Sequence, residues 1–234
     1  TNTFRTTPRS YLKTGINRKK ASQMAKNSLV QAVEHAKNAG DPDTKIIGSF
    51  APLKDCYRPA LFPGSDGAIS EYSLLGKWMI DAGVDILLFE TMNSMAETEA
   101  GLCTLNETDL PIWVSFVLKN ETHLLSGDSL ADVFNMLNNY QIEMILLNCN
   151  PLGRTKRAVD NIVDNWIGGW GIYPNMGKGE PSPDGCIVEY EPMEKYLSVI
   201  EHALNSGASV VGACCGSSPE HIAEIKKLKY NFAE

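Results

Sequence analysis

Residues Val84–Phe89 read VDILLF, a run of apolar side chains interrupted by a single aspartate. A run that is apolar at consecutive positions, rather than at alternate ones, predicts a strand buried on both faces, as parallel sheets require. The residues that follow, Glu90 and Thr91, are polar, and Ser94–Asn106 has the pattern of a helix. This order of strand, turn and helix predicts a βα unit of an α/β fold.

The same unit recurs along the chain. Further apolar runs predict strands at Lys45–Phe50, Ile112–Leu118, Met144–Leu147, Trp166–Tyr173 and Ser209–Ala213. Amphipathic segments predict helices at Lys19–Ala39, Ala68–Ala82, Leu130–Tyr140, Thr155–Trp166 and Met193–Asn205, and a last helix that opens at Ser218.

The number of these units bounds the architecture. No predicted strand is followed by a glycine-rich dinucleotide or phosphate loop, which favours a barrel over a doubly wound sheet. We therefore predict a single domain over residues 1–234 with the α/β fold of a (β/α)8 TIM-type barrel. About six complete βα units are visible, so we expect an N-terminally incomplete barrel that lacks its first strand and most of its second.

The composition argues against several classes of partner. The 234 residues include 28 acidic and 21 basic ones, a formal net charge of -7, which disfavours binding to phosphate backbones. No stretch approaches the roughly 18 apolar residues of a membrane span. The start of the chain lacks the layout of a signal peptide. We expect a cytoplasmic protein that binds neither nucleic acid nor membrane.

Three of the 6 cysteines follow predicted strands. Cys149 follows the fourth strand, and Cys214 and Cys215 follow the sixth, at the edge that is catalytic in α/β barrels. Three thiolates there predict a catalytic zinc site with an open fourth position. Adjacent cysteines can face one ion only if the backbone leaves strand geometry, and Gly216 allows such a turn. Buried core thiols are the competing interpretation, and a disulfide oxidoreductase is a weaker one.

Several segments, in this order along the whole chain, form a recognisable series. The most specific is GACCGSSPEHI at Gly212–Ile222, and weaker ones are found at Gly48–Pro52, Asp85–Thr91, Asn148–Pro151 and Tyr173–Gly177. Together they strongly resemble the homocysteine S-methyltransferase family. Thr1–Phe4 is similar to the end of that family's second strand. The resemblance therefore implies a barrel that begins about two strands late, without the Asp-Gly-Gly-type segment of the first strand.

The resemblance also implies the chemistry of the site. Cys149, Cys214 and Cys215 would bind Zn²⁺, and homocysteine would supply its sulfur as the fourth ligand. A sulfur held as a thiolate is nucleophilic, and its partner should be a methyl group on a cationic centre. S-methylmethionine and S-adenosylmethionine are favoured, with betaine and a corrinoid-bound methyl as alternatives. The expected product is methionine.

Four polar residues near strand ends are candidates for binding the substrate. Glu90 is expected to grip the ammonium group of homocysteine, a role that the resemblance also implies. Thr91 and Ser49 are candidates for donating to its carboxylate, and Asn175 for orienting a ligand. Asn148, beside the first cysteine, is a candidate for supporting the metal ligand rather than touching substrate.

Other interpretations stay open on the sequence alone. The chain is alternatively a non-catalytic zinc-binding or thiol-binding module, or an inactive truncated barrel. A barrel without its first strand exposes strand edges, so we expect aggregation or an oligomer. The segment Gly177–Gly185, rich in glycine and proline, predicts a flexible loop able to close over the site.

Overall fold

The computed structural model describes residues 1–178 and 187–231, without the side chains of 229–231. It divides them into two compact units. Unit 1 comprises Thr1–Val114 and Met136–Ile142, and unit 2 comprises Ser115–Asn135 and the described residues from Glu143 onward. The prediction of a single domain over residues 1–234 stays a prediction.

Strands and helices alternate along the described chain, which confirms the α/β class. The strands are β1 (Ile47–Phe50), β2 (Ile86–Met92), β3 (Ile112–Phe116), β4 (Leu118–Asn120), β5 (His123–Leu124), β6 (Ile142–Asn148), β7 (Gly169–Tyr173) and β8 (Val210–Val211). Six of them form a parallel sheet in the order β1-β2-β3-β6-β7-β8, and β4 pairs with β5 in an antiparallel hairpin. Closure into an eight-stranded barrel stays a prediction.

The predicted helices are all present, with ends that differ from the prediction by up to four residues. The helices are α1 (Pro8–Leu12), α2 (Arg18–Ala39), α3 (Ser65–Ala82), α4 (Met95–Leu102), α5 (Leu130–Leu137), α6 (Leu152–Asn165), α7 (Met193–Asn205) and α8 (Pro219–Asn231). The sequence did not indicate α1, a short helix capped by the side chain of Thr7 with Pro8 at its start. No helix in these described ranges is both long and apolar enough to cross a bilayer.

The predicted strand Ile112–Leu118 is too long, and the reason is a side chain. The strand β3 ends at Phe116, where the side chain of Asn150, rather than a neighbouring strand, bonds to the backbone. Its Nδ2 donates to the Phe116 carbonyl at 3.0 Å, and its Oδ1 accepts from the Leu118 amide at 2.7 Å. Leu118 therefore starts the hairpin of β4 and β5, which apolar periodicity did not predict.

The predicted strand Trp166–Tyr173 starts too early. Trp166 is the C-terminal cap of α6, and its indole Nε1 donates to the carbonyl of Gly169 at 3.1 Å. The strand β7 begins only at Gly169. Trp166 belongs to an apolar run, but it packs at 5.5 Å from the ring of Phe134 as part of a helix end.

In unit 1, three aromatic rings anchor the strands to α3. Phe50 on β1 stacks on Phe89 on β2 with ring centroids 4.8 Å apart, and Tyr72 of α3 meets both rings edge-on. All three side chains are fully buried, and burial of each stabilises the fold by about 1.5–3 kcal/mol. This packing keeps the ends of β1 and β2 side by side.

In unit 2, β6, β7 and β8 run parallel, and a glycine sets the spacing of the last pair. Gly171 of β7 pairs with Val210 of β8, and a Cβ on Gly171 would lie 2.1 Å from the Val210 carbonyl oxygen. Only glycine permits this approach. Tyr196 of α7 then donates to the Gly212 carbonyl at 2.6 Å, just beyond β8. The chain that follows is therefore held close to the end of β7.

Candidate metal centre

The three cysteines predicted to bind metal lie together in unit 2. Their sulfur atoms all lie within 4.8 Å of one another, and the Sγ atoms of Cys149 and Cys215 are 3.4 Å apart. Cys149 is buried, Cys214 is half-buried and Cys215 is exposed. Sulfur ligands of tetrahedral zinc lie about 2.3 Å from the ion, hence about 3.8 Å apart. The spacing of these three sulfur atoms and their softness as ligands therefore suit a metal ion such as zinc.

Cys149 reaches the cluster through a left-handed turn of the backbone. Strand β6 ends at Asn148, and Cys149 has a φ of 55°, a region that residues with side chains rarely occupy. Its amide donates to the Tyr173 carbonyl at 3.1 Å. Its carbonyl accepts from Nδ2 of Asn175 at 2.8 Å. These contacts compensate for the unfavourable conformation.

Cys214 and Cys215 reach the cluster through a tight turn. Strand β8 ends at Val211, and the amide of Ser217 donates to the Cys214 carbonyl at 3.2 Å across Gly216, whose φ is 78°. A turn with positive φ at its third residue favours glycine there. The prediction that the backbone leaves strand geometry at Cys214 and Cys215, with a turn at Gly216, is confirmed.

The thiols are close enough to form hydrogen bonds with one another, which shifts their pKa values. Hydrogen bonds from Cys149 and then from Cys214 lower the pKa of Cys215 to about 3. The same hydrogen bonding, first with Cys149 and then with Cys215, raises the pKa of Cys214 well above its usual range. These opposite pKa shifts at Cys214 and Cys215 favour a negative charge within the cluster, which suits the binding of a cation.

A polar network lies beside Cys149. Tyr173 on β7 donates to Oγ of Ser115 on β3 at 2.8 Å, and that hydroxyl donates to Oδ1 of Asn148 on β6. Asn148 thus connects β6 to β3 next to Cys149, and its predicted support of the metal ligand stays a prediction. Sequence reasoning missed Ser115 and Tyr173. A lone serine within an otherwise apolar strand was the available signal.

Asn150, one residue after Cys149, was also missed. It is fully buried, and its side chain is bonded to the backbone of Phe116, Leu118 and Asn148. A buried amide bonded in this way is rigid, because releasing any partner leaves a polar group unpaired. Its position directly after the cysteine was the signal that could have identified it.

In unit 1, the predicted substrate residues lie at the ends of β1 and β2. The Ser49 hydroxyl donates to Oε2 of Glu90. The hydroxyl of Thr3 donates to the Ser49 carbonyl at 2.8 Å and accepts from the Ser49 amide at 3.0 Å. Thr91 is buried and has a φ of 59°. Ser49 thus orients the carboxylate of Glu90, and contact of Ser49, Glu90 and Thr91 with substrate stays a prediction.

Asn175 lies in unit 2, in the segment after β7, and is 2% exposed. Its Nδ2 bonds the Cys149 carbonyl, and its Oδ1 accepts from the Gly177 amide at 3.0 Å. The ligand contact predicted for Asn175 stays a prediction. The predicted flexible loop Gly177–Gly185 lies outside the described residues except for Gly177 and Lys178.

A parallel α/β sheet with three cysteine sulfurs converging beyond its strands defines an α/β protein whose thiol cluster could hold a metal ion. The family model for homocysteine S-methyltransferase matches residues 1–228. The chain belongs to the homocysteine S-methyltransferase family.

Over the aligned residues, three curated relatives are more than a quarter identical to this chain. Homocysteine S-methyltransferase YbgG of Bacillus subtilis is 29% identical over 196 residues, which cover 79% of this chain and 61% of the relative. Homocysteine S-methyltransferase of Escherichia coli is 29% identical over 153 residues, covering 63% and 49%. Selenocysteine methyltransferase of Astragalus bisulcatus is 28% identical over 167 residues, covering 64% and 46%. The chain spans about half to three fifths of the length of these curated relatives.

The fold is also similar to solved structures. The metallated and the oxidised forms of the homocysteine methyltransferase MmuM from Escherichia coli each match with a TM-score of 0.80 and 25% identity. Each match covers 97% of this chain and 78% of the other. The predicted TIM-barrel-like α/β fold is confirmed by this similarity.

Proposed function

We propose that this protein transfers a methyl group from a cationic donor to the sulfur of homocysteine, giving methionine. The observation that carries the proposal is the convergence of three cysteine sulfurs within 4.8 Å of one another, in a chain of the homocysteine S-methyltransferase family. S-methylmethionine and S-adenosylmethionine are the favoured donors, because a sulfonium is attracted by an electron-rich thiolate centre.

The proposed cofactor is Zn²⁺, held by Cys149, Cys214 and Cys215. The donor set fits: all three ligands are soft sulfur atoms, and their spacing brackets the value of about 3.8 Å expected around tetrahedral zinc. When bound, zinc lowers the pKa of a thiol that joins it, so that the sulfur of homocysteine is held as a thiolate near neutral pH.

The proposed reaction exchanges one carbon–sulfur bond for another. The homocysteine thiol first loses its proton to solvent water. A lone pair of the thiolate then forms the new bond to the methyl carbon, and the old bond to the sulfonium breaks. Its electron pair stays on the donor sulfur, which becomes a neutral thioether. Since opposite charges are neutralised in this step, exclusion of water favours it.

The environments of the three sulfurs suit this reaction. Cys149 is only 6% exposed and, with the buried Asn150 and Asn175, keeps water from one side of the cluster. Cys215 is exposed, so that the cluster remains accessible from its side. This asymmetry supports a site with three fixed ligands and one position for a substrate sulfur.

In unit 1, we propose that Glu90 binds the ammonium group of homocysteine. The hydrogen bond from Ser49 fixes one oxygen of its carboxylate, which reduces the conformational freedom that binding would otherwise remove. We propose that Thr91 donates to the substrate carboxylate. A charge-assisted hydrogen bond of this kind contributes about 1.5–3 kcal/mol.

A selenol is a second acceptor to consider, because relatives named as selenocysteine methyltransferases are among those similar to this chain. We place the reaction in methionine biosynthesis and in the cytoplasm, where thiols stay reduced. The partners proposed are small molecules, homocysteine and the methyl donor.

The test is zinc content, measured by elemental analysis on the wild type, Cys214→Ala and Cys103→Ala. Cys103 is an exposed thiol outside the cluster and serves as the matched control. We expect about one zinc per chain in the wild type and in Cys103→Ala, and its loss in Cys214→Ala. X-ray absorption should detect a further sulfur ligand when homocysteine is added.

Methyl transfer is then measured with each sulfonium donor, with homocysteine or a selenol as acceptor. Turnover that disappears with the zinc supports the proposal. Well-folded wild type without zinc would refute the zinc centre. Zinc-loaded protein without turnover on any donor would instead indicate a non-catalytic zinc-binding or thiol-binding module.

A further inference from the structure

We infer that Asn175 is a positioning residue of the metal centre, which holds the backbone of Cys149 so that the three sulfurs converge before a metal binds. The inference rests on the proposed metal-binding function of the cluster. It gives Asn175 a role different from direct contact with substrate.

The segment Tyr173–Met176 lies between the two ligand-bearing segments of unit 2 and bonds to both. Towards Cys149, the Tyr173 carbonyl accepts from the Cys149 amide at 3.1 Å. Towards the other ligands, the Pro174 carbonyl accepts from the Cys214 amide at 3.2 Å, and the Met176 amide donates to the Cys215 carbonyl at 2.9 Å. All three candidate ligands thus take their backbone position from one segment.

Asn175 is the member of this segment that uses its side chain. Its own amide donates to the Asn150 carbonyl at 3.1 Å, and its Nδ2 donates to the Cys149 carbonyl at 2.8 Å. The two bonds hold consecutive peptide groups on the Cys149 side. Its Oδ1 accepts from the Gly177 amide, which fixes the rotamer of the side chain.

Cys149 needs such support because its φ of 55° is disfavoured for any residue with a Cβ. If the carbonyl were released, the peptide could rotate towards an ordinary strand or helical conformation. That rotation would swing the Cβ and Sγ of Cys149 away from Cys215. The hydrogen bond from Asn175 opposes this rotation directly.

The burial of Asn175 supports the same role. The side chain is 2% exposed, and both of its polar atoms are bonded to backbone groups. In this arrangement the three sulfurs lie within 4.8 Å of one another. A site organised in advance binds its ion more tightly, because less conformational entropy is lost on binding.

The variant Asn175→Asp tests the inference. It keeps an oxygen for the Gly177 amide but replaces the donor at Cys149 with an acceptor that repels the carbonyl. The matched control is Asn93→Asp in unit 1. Asn93 is equally buried, also follows a strand, and donates from Nδ2 to the Cys56 carbonyl at 2.9 Å, but Cys56 is outside the cluster.

Two probes report on the geometry of the cluster without turnover. The first is zinc affinity, from competition with a chelator. The second is binding of arsenite to metal-free protein, in which three thiols replace the three oxygens of arsenous acid and three waters leave. We expect Asn175→Asp to weaken both by about 10–100-fold, the usual effect of losing a residue that orients a metal ligand. Asn93→Asp should stay within about threefold of wild type.

The outcomes separate this inference from the proposed function. Wild-type affinity for both probes in Asn175→Asp, together with a raised KM for homocysteine, would overturn the inference and support a substrate contact. Failure of wild type to bind zinc, with arsenite binding still dependent on Asn175, would refute the zinc chemistry and support the positioning role. Folded wild type that does not bind arsenite would overturn the inference. If Asn175→Asp does not fold, Asn175→Ala removes the bond without adding repulsion, and the same outcomes apply.

Discussion

Strands β2 and β6 both end near a residue in the left-handed region of backbone space, but they use it differently. Thr91, with a φ of 59°, is among the last residues of β2, and Cys149, with a φ of 55°, follows β6. At β2, the strained residue lies beside a carboxylate, Glu90, that is oriented by Ser49. At β6, the strained residue is itself the candidate metal ligand, and Asn175 holds its carbonyl.

The difference concerns what the strain accomplishes. Unfavourable backbone conformations persist where surrounding contacts compensate for them, and they are frequent at functional sites. In unit 1 the hydrogen bond from Ser49 orients the Glu90 carboxylate, which we propose binds a substrate group. In unit 2 the hydrogen bonds fix the direction of the Cys149 side chain. A small rotation of the backbone there would move its sulfur out of reach of a metal ion. We therefore expect damage at β2 to weaken substrate binding, and damage at β6 to remove the metal.

The largest effect is expected from Cys149→Ala. Apparent zinc-binding free energies of about 10–16 kcal/mol are shared among the ligands, so loss of one should weaken zinc binding at least about a hundredfold. Chelator competition measures this, with Cys103→Ala as the control that leaves the cluster intact. Unchanged zinc affinity in Cys149→Ala would show that the buried sulfur is not a ligand.

Glu90→Gln tests the role of the carboxylate at the end of β2. Removing the charge while keeping the shape should lower kcat/KM for homocysteine by about 10–150-fold, the equivalent of a charge-assisted hydrogen bond of about 1.5–3 kcal/mol. Zinc content should not change. Glu143→Gln, at an exposed carboxylate near the start of β6, is the control for charge alone. Loss of zinc in Glu90→Gln would contradict the separation of the two roles.

A pair of glycine substitutions compares the strand packing of the two units. In Gly171→Ala the new Cβ would lie 2.1 Å from the Val210 carbonyl oxygen, whereas in Gly48→Ala it meets the flexible side chain of Met79 at 2.8 Å. A side chain can move more easily than a paired backbone. We expect urea unfolding to show a loss of about 2–3 kcal/mol for Gly171→Ala and less than about 1.5 kcal/mol for Gly48→Ala. Equal losses would show that β7 and β8 can separate.

The smallest effect is expected from Glu97→Gln in unit 1, and it depends on pH. Burial raises the pKa of Glu97 above the ordinary value of 4.5, although hydrogen bonds from Leu53 and Tyr72 oppose the shift. Stability from the protonated acid is therefore present below pH 4.5 and is lost as pH rises through the raised pKa. The glutamine keeps the acceptor oxygen and does not ionise.

Unfolding of Glu97→Gln and wild type should be compared at several pH values from 4 to 7. Relative to wild type, the variant should become more stable as pH rises across this window. A stability difference that does not change with pH would mean that Glu97 titrates alike in the folded and unfolded chains.

Much of the fold was predictable because apolar periodicity reports on burial. The runs at Val84–Phe89 and Met144–Leu147 predicted β2 and β6 to within a few residues. The prediction of strand ends failed where a single side chain bonded to the backbone and so terminated a strand. Asn150 stops β3 by bonding Phe116 and Leu118, a contact between residues more than 30 positions apart that local periodicity does not encode.

The candidate site, too, was predictable only in part from the sequence. Cys149, Cys214 and Cys215 were identifiable because thiols after parallel strands face one edge, and Gly216 indicated the turn that brings two of them together. The buried contacts of Asn175 were not identifiable. An asparagine after a strand is as compatible with binding a ligand as with bonding the backbone, and only its neighbours distinguish the two.

The sequence by itself determined the α/β class, the order of the six parallel strands and of the helices between them, and which sulfur atoms could meet. These follow from local hydrophobic pattern and from chemistry that residue type alone specifies. Only the tertiary structure decided the conformation of Cys149, the partners of Asn175 and the pairing of Ser49 with Glu90. Each depends on hydrogen bonds between segments distant in sequence, whose geometry is set when the strands pack side by side.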